Sequence, residues 1–491
     1  MHSMLYLASA SLSAAALAAA VDVVVPASVP LGAARLDKAP VGISYEFFAF
    51  PSYRLNVSAT ARCERNLRDL SGTWPPVRIG GTTQDRALFD PALDAYVSYS
   101  VADPADAPAD LTFGPGFLEL AGEYEGRVTL GLNRGRNNLD NTIAAARAAV
   151  SAMPNLLAIE LGNEPEYYPK DGQPIAAGTW DPATDAASQA NWQLAVGGAL
   201  ASDSTLNTAP PVFEAGNSLE SPDTWGAREL IQAQNESARE WVKSYSHHNY
   251  PGGGIEDLMS HANVVSNVEQ FGDDVVAAQD LGWEYVLGET NSATGGGAAS
   301  VSPSFGAALW LADYALQAAS ANISRLYFHH GTVGNCQYCW WGRYSMGAPY
   351  YGAYFAASAF ALGEWVVPLD AGEDAGAGDV GAYAVYDLDG AVKGVALLNT
   401  AYWDGSGERA GTEVVLRGLG SGGVKAKRLT SESGGATARV DKGQKVTFAG
   451  REFEDGTCVV SGEEVLEEVV VDAEGTARVS VGASEGVLVL L

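Results

Sequence analysis

Between residues 41 and about 360 the chain repeats one pattern: a short apolar run that stops on polar residues, then a helical stretch. Eight runs can be counted, at 41–47, 77–80, 127–132, 156–160, 212–215, 242–247, 285–288 and 325–329. Strands that alternate with helices build a parallel sheet, because a parallel pair needs a long crossover connection. Eight units in about 320 residues meet the requirement of a (β/α)8 barrel, which carries its chemistry at the C-terminal ends of its strands. Helical patterning predicts helices near 59–70, 142–152, 187–200, 227–241, 264–281 and 305–320. The strand ends read Tyr45-Glu46, Gly81-Thr82, Asn133-Arg134, Asn163-Glu164, Asn217, His248-Asn249-Tyr250, Glu289 and His329-His330. One polar loop after a strand is ordinary; eight in register define a mouth.

The pattern changes after about residue 365 to alternating strands punctuated by Gly and Asp, with no helical period. We therefore expect an α/β chain: a (β/α)8 barrel over 41–362, then an all-β sandwich over 363–491. Residues 21–40 form an extended lead-in available to pair with that sandwich. The first twenty residues, an Ala- and Ser-rich apolar run ending Ala18-Ala19-Ala20, match a secretory signal peptide cleaved near Ala20. The sequons at Asn56, Asn235 and Asn322 agree with export. No later stretch is long and apolar enough for a membrane span. The net charge of −30 excludes a nucleic-acid binder by default, since polyanions need a basic surface. Oligomeric state is not legible.

Four cysteines in an exported chain allow three pairings, and Cys336 and Cys339 are close enough for a local bridge, leaving Cys63 and Cys458. A zinc site from His329, His330, Cys336 and Cys339 is the weaker reading, because the spacing is non-standard. Gly482 to Gly486 matches G-x-S-x-G, but no helix can follow it and no histidine lies downstream, so a serine hydrolase is excluded. No metal and no organic cofactor is implied.

Two signals carry the chemistry. The run 156–161 ends in Asn163-Glu164-Pro165, and 285–288 ends in Glu289-Thr290-Asn291-Ser292. Each puts one carboxylate directly after an apolar strand, on the fourth and seventh strands, so the two face each other across the mouth. Paired carboxylates are what glycosidic cleavage needs: a neutral acid protonates the leaving oxygen while a carboxylate attacks the anomeric carbon or activates water. Glu164 is the expected acid/base and Glu289 the expected nucleophile.

These motifs, with Gly288 to Gly297 (GETNSATGGG), Val77 to Thr82, His247 to Tyr250 and Gln337-Tyr338-Cys339, resemble glycoside hydrolase family 79, the β-glucuronidases and heparanases. The resemblance covers the barrel and extends to the β-sandwich. It implies that the amides of Gly295 and Gly296 and the hydroxyl of Tyr338 bind the uronate carboxylate, a role successive glycines can fill because no side chain blocks their N–H groups. It further implies that Tyr250 hydrogen-bonds the nucleophile with support from His248, that Glu46 and Thr82 hold ring hydroxyls, and that Asn163 holds the 2-hydroxyl. Arg78 fixes the carboxylate network from the barrel floor, and one of His329 and His330 lines the site. Relatives often carry an aromatic residue where Thr294 stands, which leaves the choice between glucuronate and 4-O-methylglucuronate open. Trp180, Trp225, Trp340 and Trp341 are candidate sugar platforms.

The expected activity is a retaining exo-β-glucuronidase acting on terminal glucuronate of glycans such as arabinogalactan side chains. Other retaining β-glycosidases of the same clan (endo-glucanase, xylanase or galactanase type) and a catalytically silent glycan-binding protein are the alternatives.

Overall fold

A computed structural model describes residues 20–491 apart from 207, 373–376, 421 and 432. The expected signal segment lies, except for Ala20, outside the described residues.

Eight parallel strands close into a barrel: β1 (Val41–Glu46), β2 (Val77–Gly80), β3 (Val128–Leu132), β4 (Leu156–Leu161), β5 (Phe213–Ser218), β6 (Val242–Asn249), β7 (Glu284–Thr290) and β8 (Arg325–His330). Each hydrogen-bonds to its sequence neighbours, and β8 closes on β1 with Leu326 opposite Val41. Period-two alternation sends Ile43, Tyr45, Ile79, Leu130 and Phe328 into the core shared with the helices. The opposite face sends Ser44, Arg78, Thr129 and Glu160 into the barrel interior, all fully buried. Glycines make room for this polar filling. A Cβ on Gly131 would lie 2.1 Å from Gln84 Oε1, and one on Gly80 would lie 2.6 Å from the Arg78 guanidinium carbon.

The helices at Thr60–Ser71, Leu139–Ala152, Pro182–Ala201 and Phe305–Ser320 agree with the expected positions. Two expected helices are broken. The stretch 227–241 is two short helices, Ala227–Ala233 and Glu236–Arg239, because the Asn235 side chain accepts from Ala238 N and starts a new helix. The stretch 264–281 divides into His261–Glu269 and Gly272–Gln279 at Gln270-Phe271. The helix Phe305–Ser320 is apolar nearly all round, and only Gln317 and Ser320 escape burial. Such a helix must be covered on every side; here it packs against the helix Pro349–Phe360 on one flank and against the strand Trp365–Pro368 on another.

The C-terminal part is one hydrogen-bonded path of ten strands with an eleventh paired off it. Val21 and Val23 at one end of the path and Val367 near the other join a single second core with Leu416, Val479, Val489 and Leu397. The sheet is therefore folded over as two layers. The lead-in strand Ala20–Val24 runs parallel to Gly411–Arg417 and caps one end. Cys63 is bonded to Cys458 across 395 residues, tying a barrel helix to the β domain, and Cys336 is bonded to Cys339. The latter bond removes both thiolates from the zinc reading. Ser484 of the G-x-S-x-G match is fully buried in a turn between two strands, where its Oγ accepts from Trp403 N.

Candidate active site

The β4 end is shaped by Gly162-Asn163-Glu164-Pro165. A Cβ on Gly162 (φ 86°) would lie 2.0 Å from the Tyr168 hydroxyl, so only glycine fits. Glu164 itself stands at φ 45°, ψ 63°, the left-handed region, at a cost of about 1–3 kcal/mol for a non-glycine residue. Surrounding bonds hold it there: Glu164 N donates to Asn217 O (2.9 Å), Asn163 N to Asp85 Oδ2 (2.7 Å), and Trp180 Nε1 to Pro165 O (2.8 Å). Asp85 is the hub of this turn. Its other oxygen accepts from Arg134 N and Gly135 N, and Tyr168 OH donates to Oδ2, so one buried carboxylate joins the β2, β3 and β4 loops. Nothing in the sequence marked Asp85, because its partners lie 49 to 83 residues away.

Glu289, at the end of β7, faces Glu164, and one oxygen of each carboxylate lies within 4.8 Å of the other. Arg78 Nη1 donates to Glu289 Oε2 (2.5 Å) and Tyr250 OH to Oε1 (2.7 Å). Arg78 is itself fixed by a bidentate pair to Glu160 (2.8 and 2.5 Å) and by Asn163 Oδ1 (2.9 Å). His329 lies between two carboxylates, with Nε2 3.4 Å from Glu46 Oε2 and Nδ1 3.6 Å from Glu289 Oε2. His330 points away into an aromatic nest of Tyr45, Tyr53, Trp340 and Trp341.

The electrostatics follow from these contacts. Burial raises Glu164, the nearby charge of Glu289 raises it further, and its pKa is pushed up to about 8. Burial acts upward on Glu289 too, but His329 and Arg78, with the Tyr250 hydrogen bond, outweigh it and hold the carboxyl well below the usual range. Burial lowers His329, yet the charges of Glu289 and Glu46 more than offset it, leaving its pKa raised. His248 is pushed down to about 4 by burial and is neutral at mildly acidic pH. The site therefore holds one neutral and one ionised carboxyl side by side, the division of labour that acid/base and nucleophile roles require.

A cavity of about 560 Å³ opens over the pair, lined by Glu46, Thr82, Glu164, Tyr250, Glu289, Thr294, Gly295, Gly296, His329 and Tyr338 among others. Gly295, Gly296 and Gly297 stand at φ 64°, 86° and 96°, three consecutive left-handed residues. Among the described residues neither Gly295 N nor Gly296 N has a protein acceptor. Glu46 is braced by Thr83, whose amide (2.9 Å) and hydroxyl both donate to Oε1.

Two expected placements differ. His248 makes its hydrogen-bond contact with the acid, its Nδ1 3.1 Å from Glu164 Oε1, while it stays within 4.8 Å of Glu289 as well. A register shift between His247 and His248 sets His248 opposite Glu289 on β7, so its ring is within reach of both carboxylates. Asn163 spends its carbonyl oxygen on Arg78 and is not a lining residue of the cavity. None of Trp180, Trp225, Trp340 and Trp341 lines it either. Glu164, His248 and Glu289 offer three ligand atoms within 4.8 Å. A cation there would sit against Arg78, with both oxygens of Glu289 already engaged, so the donor set does not suit one.

Comparison with known proteins agrees over both parts of the molecule. Residues 382–488 match the glycosyl hydrolase family 79 C-terminal beta domain. A β-glucuronidase of Aspergillus niger is 33% identical over 417 residues, 76% of this chain and 74% of that protein. One from Neurospora crassa is 30% identical over 364 residues, 65% of this chain and 63% of that one. The crystal structure of a 4-O-α-L-rhamnosyl-β-D-glucuronidase from Fusarium oxysporum 12S, in its Rha-GlcA complex, superposes with a TM-score of 0.89 and 45% identity, covering 96% of this chain and 100% of that one. With a barrel mouth that pairs a neutral and an ionised glutamate, and with these relatives along its length, the chain belongs to glycoside hydrolase family 79 and is a glycoside hydrolase of the β-glucuronidase type.

Proposed function

We propose that the chain is a secreted exo-acting β-glucuronidase that retains anomeric configuration and accepts glucuronate substituted at O4. The observation that carries this reading is the pair Glu164 and Glu289, within 4.8 Å and driven to opposite protonation states. Retaining enzymes hold their carboxyls about 5–5.5 Å apart, inverting ones about 6.5–9.5 Å. In the first step Glu164 gives its proton to the glycosidic oxygen, the C1–O bond breaks, and Glu289 forms an ester to C1. That ester removes the negative charge that helped raise Glu164, so Glu164 is then ready to take a proton from water. The water oxygen attacks C1 and frees Glu289. Arg78 and Tyr250 stabilise the departing carboxylate.

The uronate carboxylate is assigned to the amides of Gly295 and Gly296 with Tyr338, which line the cavity opposite the β4 loop. The wall built from Arg86, Asp106 and Asn335 remains for a group on O4. The 45% identity to a protein described as a 4-O-α-L-rhamnosyl-β-D-glucuronidase favours such a group there, and glycans such as arabinogalactan side chains are the substrate class proposed. Export is supported by two disulfides, which form in oxidising compartments. Residues 1–20 are the proposed signal peptide, with 41–362 and 363–491 as catalytic and β domains. Asn56 and Asn235 are exposed and available for N-glycans.

The test is initial-rate hydrolysis of aryl β-glucuronide, glucoside, galactoside and xyloside, together with a 4-O-rhamnosylated β-glucuronide, with stereochemistry read by NMR. Turnover confined to the glucuronides with β product first formed supports the reading. Preference for a neutral glycoside, or α product, overturns it.

A further inference from the structure

The acid fixes which way a leaving group must lie. Glu164 has to sit beside the glycosidic oxygen, so the departing group occupies the part of the cavity walled by the β4 and β5 loops, across the barrel from Gly295, Gly296 and Tyr338. That wall consists of Tyr167, Lys170, Asp171 and Leu219. Tyr167 is half-buried and comes three residues after the acid. Lys170 Nζ lies 5.5 Å from its ring centroid, and among the described residues Lys170 has no carboxylate partner. Asp171 lines the cavity beside it, and its side chain has no recorded partner among the described residues. An aromatic face next to one free cation and one free anion has no net charge. It offers an apolar surface for the C–H face of a pyranose together with a donor and an acceptor for its hydroxyls. A sulfated or uronic leaving residue would meet Lys170 only with Asp171 beside it, and so would gain no net attraction there.

The wall is built rather than incidental. Trp180 Nε1 holds Pro165 O, and Asp171 N closes on Tyr167 O (2.9 Å). Glu166, whose carboxyl is mostly buried, ties the two loops together, its Oε1 accepting from Leu219 N (2.5 Å) and Glu220 N (3.1 Å).

We propose that Tyr167, Lys170 and Asp171 form a leaving-group subsite selective for a neutral hexose. The proposal rests on the glucuronidase reading above. Its test is the partitioning of the glucuronyl-enzyme, formed from an aryl β-glucuronide, between water and added galactose. Hydrolysis and transfer both use Glu164, so their ratio isolates acceptor binding from any disturbance of the acid. The wild-type enzyme should form the glucuronosyl-galactose product with saturation in galactose. Tyr167→Ala should lower the transfer-to-hydrolysis ratio about tenfold, and Lys170→Met by a smaller factor. Tyr167→Phe should keep the ratio. An unchanged ratio in Tyr167→Ala, no transfer by the wild type, or transfer to glucuronic acid as efficient as to galactose would overturn the subsite. Absence of any hydrolysis of the aryl glucuronide would instead overturn the glucuronidase reading.

Discussion

The two ends of the barrel mouth are built from the same kind of residue, Glu289 buried and Glu164 slightly more open, and they behave oppositely. At the β4 end, Glu164 has among the described residues one side-chain hydrogen-bond partner, His248, which burial keeps neutral, and its pKa rises to about 8. At the β7 end, Glu289 is at least as withdrawn from water but faces His329 and Arg78 and accepts from Tyr250, and its carboxyl is held well below the ordinary range. Desolvation is common to both, so it cannot assign the roles. What assigns them is which carboxyl the cations touch: His329 of β8 and Arg78 of β2, the latter anchored by Glu160 of β4, both stand against Glu289.

The largest expected effect comes from removing the ionised member. Glu289→Gln should lower turnover of an aryl β-glucuronide by about 10⁴-fold or more, the scale of losing a nucleophile. Its unfolding midpoint should stay near that of the wild type, since Arg78 keeps the bidentate contact with Glu160. Loss below about a hundredfold would mean that the two ends do not divide the chemistry as described.

Next comes Arg78, one of the two cations that create the difference. Arg78→Met leaves Glu160 as a buried, unpaired charge, a change that costs about 3–5 kcal/mol, so the informative variant is the double change Arg78→Met with Glu160→Gln. With folding preserved by thermal melting, its kcat/KM should fall about 10²-fold or more, the scale of losing one preorganised electrostatic contact. The acid limb of its pH profile should move upward, because Glu289 loses one of the neighbours that keep it ionised. An acid limb that stays in place would assign the depression to His329 instead.

A smaller effect reads the β4 end directly. Glu164 must be protonated to act as the acid, so kcat/KM should hold through mildly acidic and neutral pH and fall as pH rises through about 8. A limb near 5 would show Glu164 close to its ordinary value and would erase the contrast between the two ends.

The sequence displayed the barrel, both carboxylates and the glycine run because each is a local signal: an apolar run with a polar stop, a single glutamate just past such a run, three successive glycines. It was silent where the contact is long-range. Asp85 organises the β4 turn through residues 49 to 83 positions away, and Ser44, Arg78 and Glu160 meet only inside the closed barrel. The hydrogen bond of His248 to Glu164 was equally out of reach, because it joins β6 to the β4 loop across 84 residues. The helical stretches 227–241 and 264–281 kept a helical period while breaking at Asn235 and at Phe271, since a short interruption does not erase the period on either side.

The lesson about partners can be tested away from the mouth, where a second histidine meets a carboxylate at a similar distance. His261 Nδ1 lies 2.8 Å from Asp313 Oδ2, at the junction of the barrel helices with the β domain, and Tyr383 OH donates to the other oxygen (2.6 Å). Here burial lowers His261, but the charge of Asp313, its hydrogen bond and the nearby Asp379 outweigh it, so its pKa is raised where that of His248 is depressed. A histidine whose folded pKa lies above its unfolded value, near 6.5, contributes stability that is fully present below that value and is lost as pH rises through the folded pKa. The wild-type melting temperature should therefore decline as pH is raised from mildly acidic through that range. His261→Gln should be less stable than the wild type at acidic pH, and the two should converge as pH rises. A difference that stays constant with pH would mean that the junction uses His261 as a neutral hydrogen-bond donor, and that partner charge does not separate it from His248.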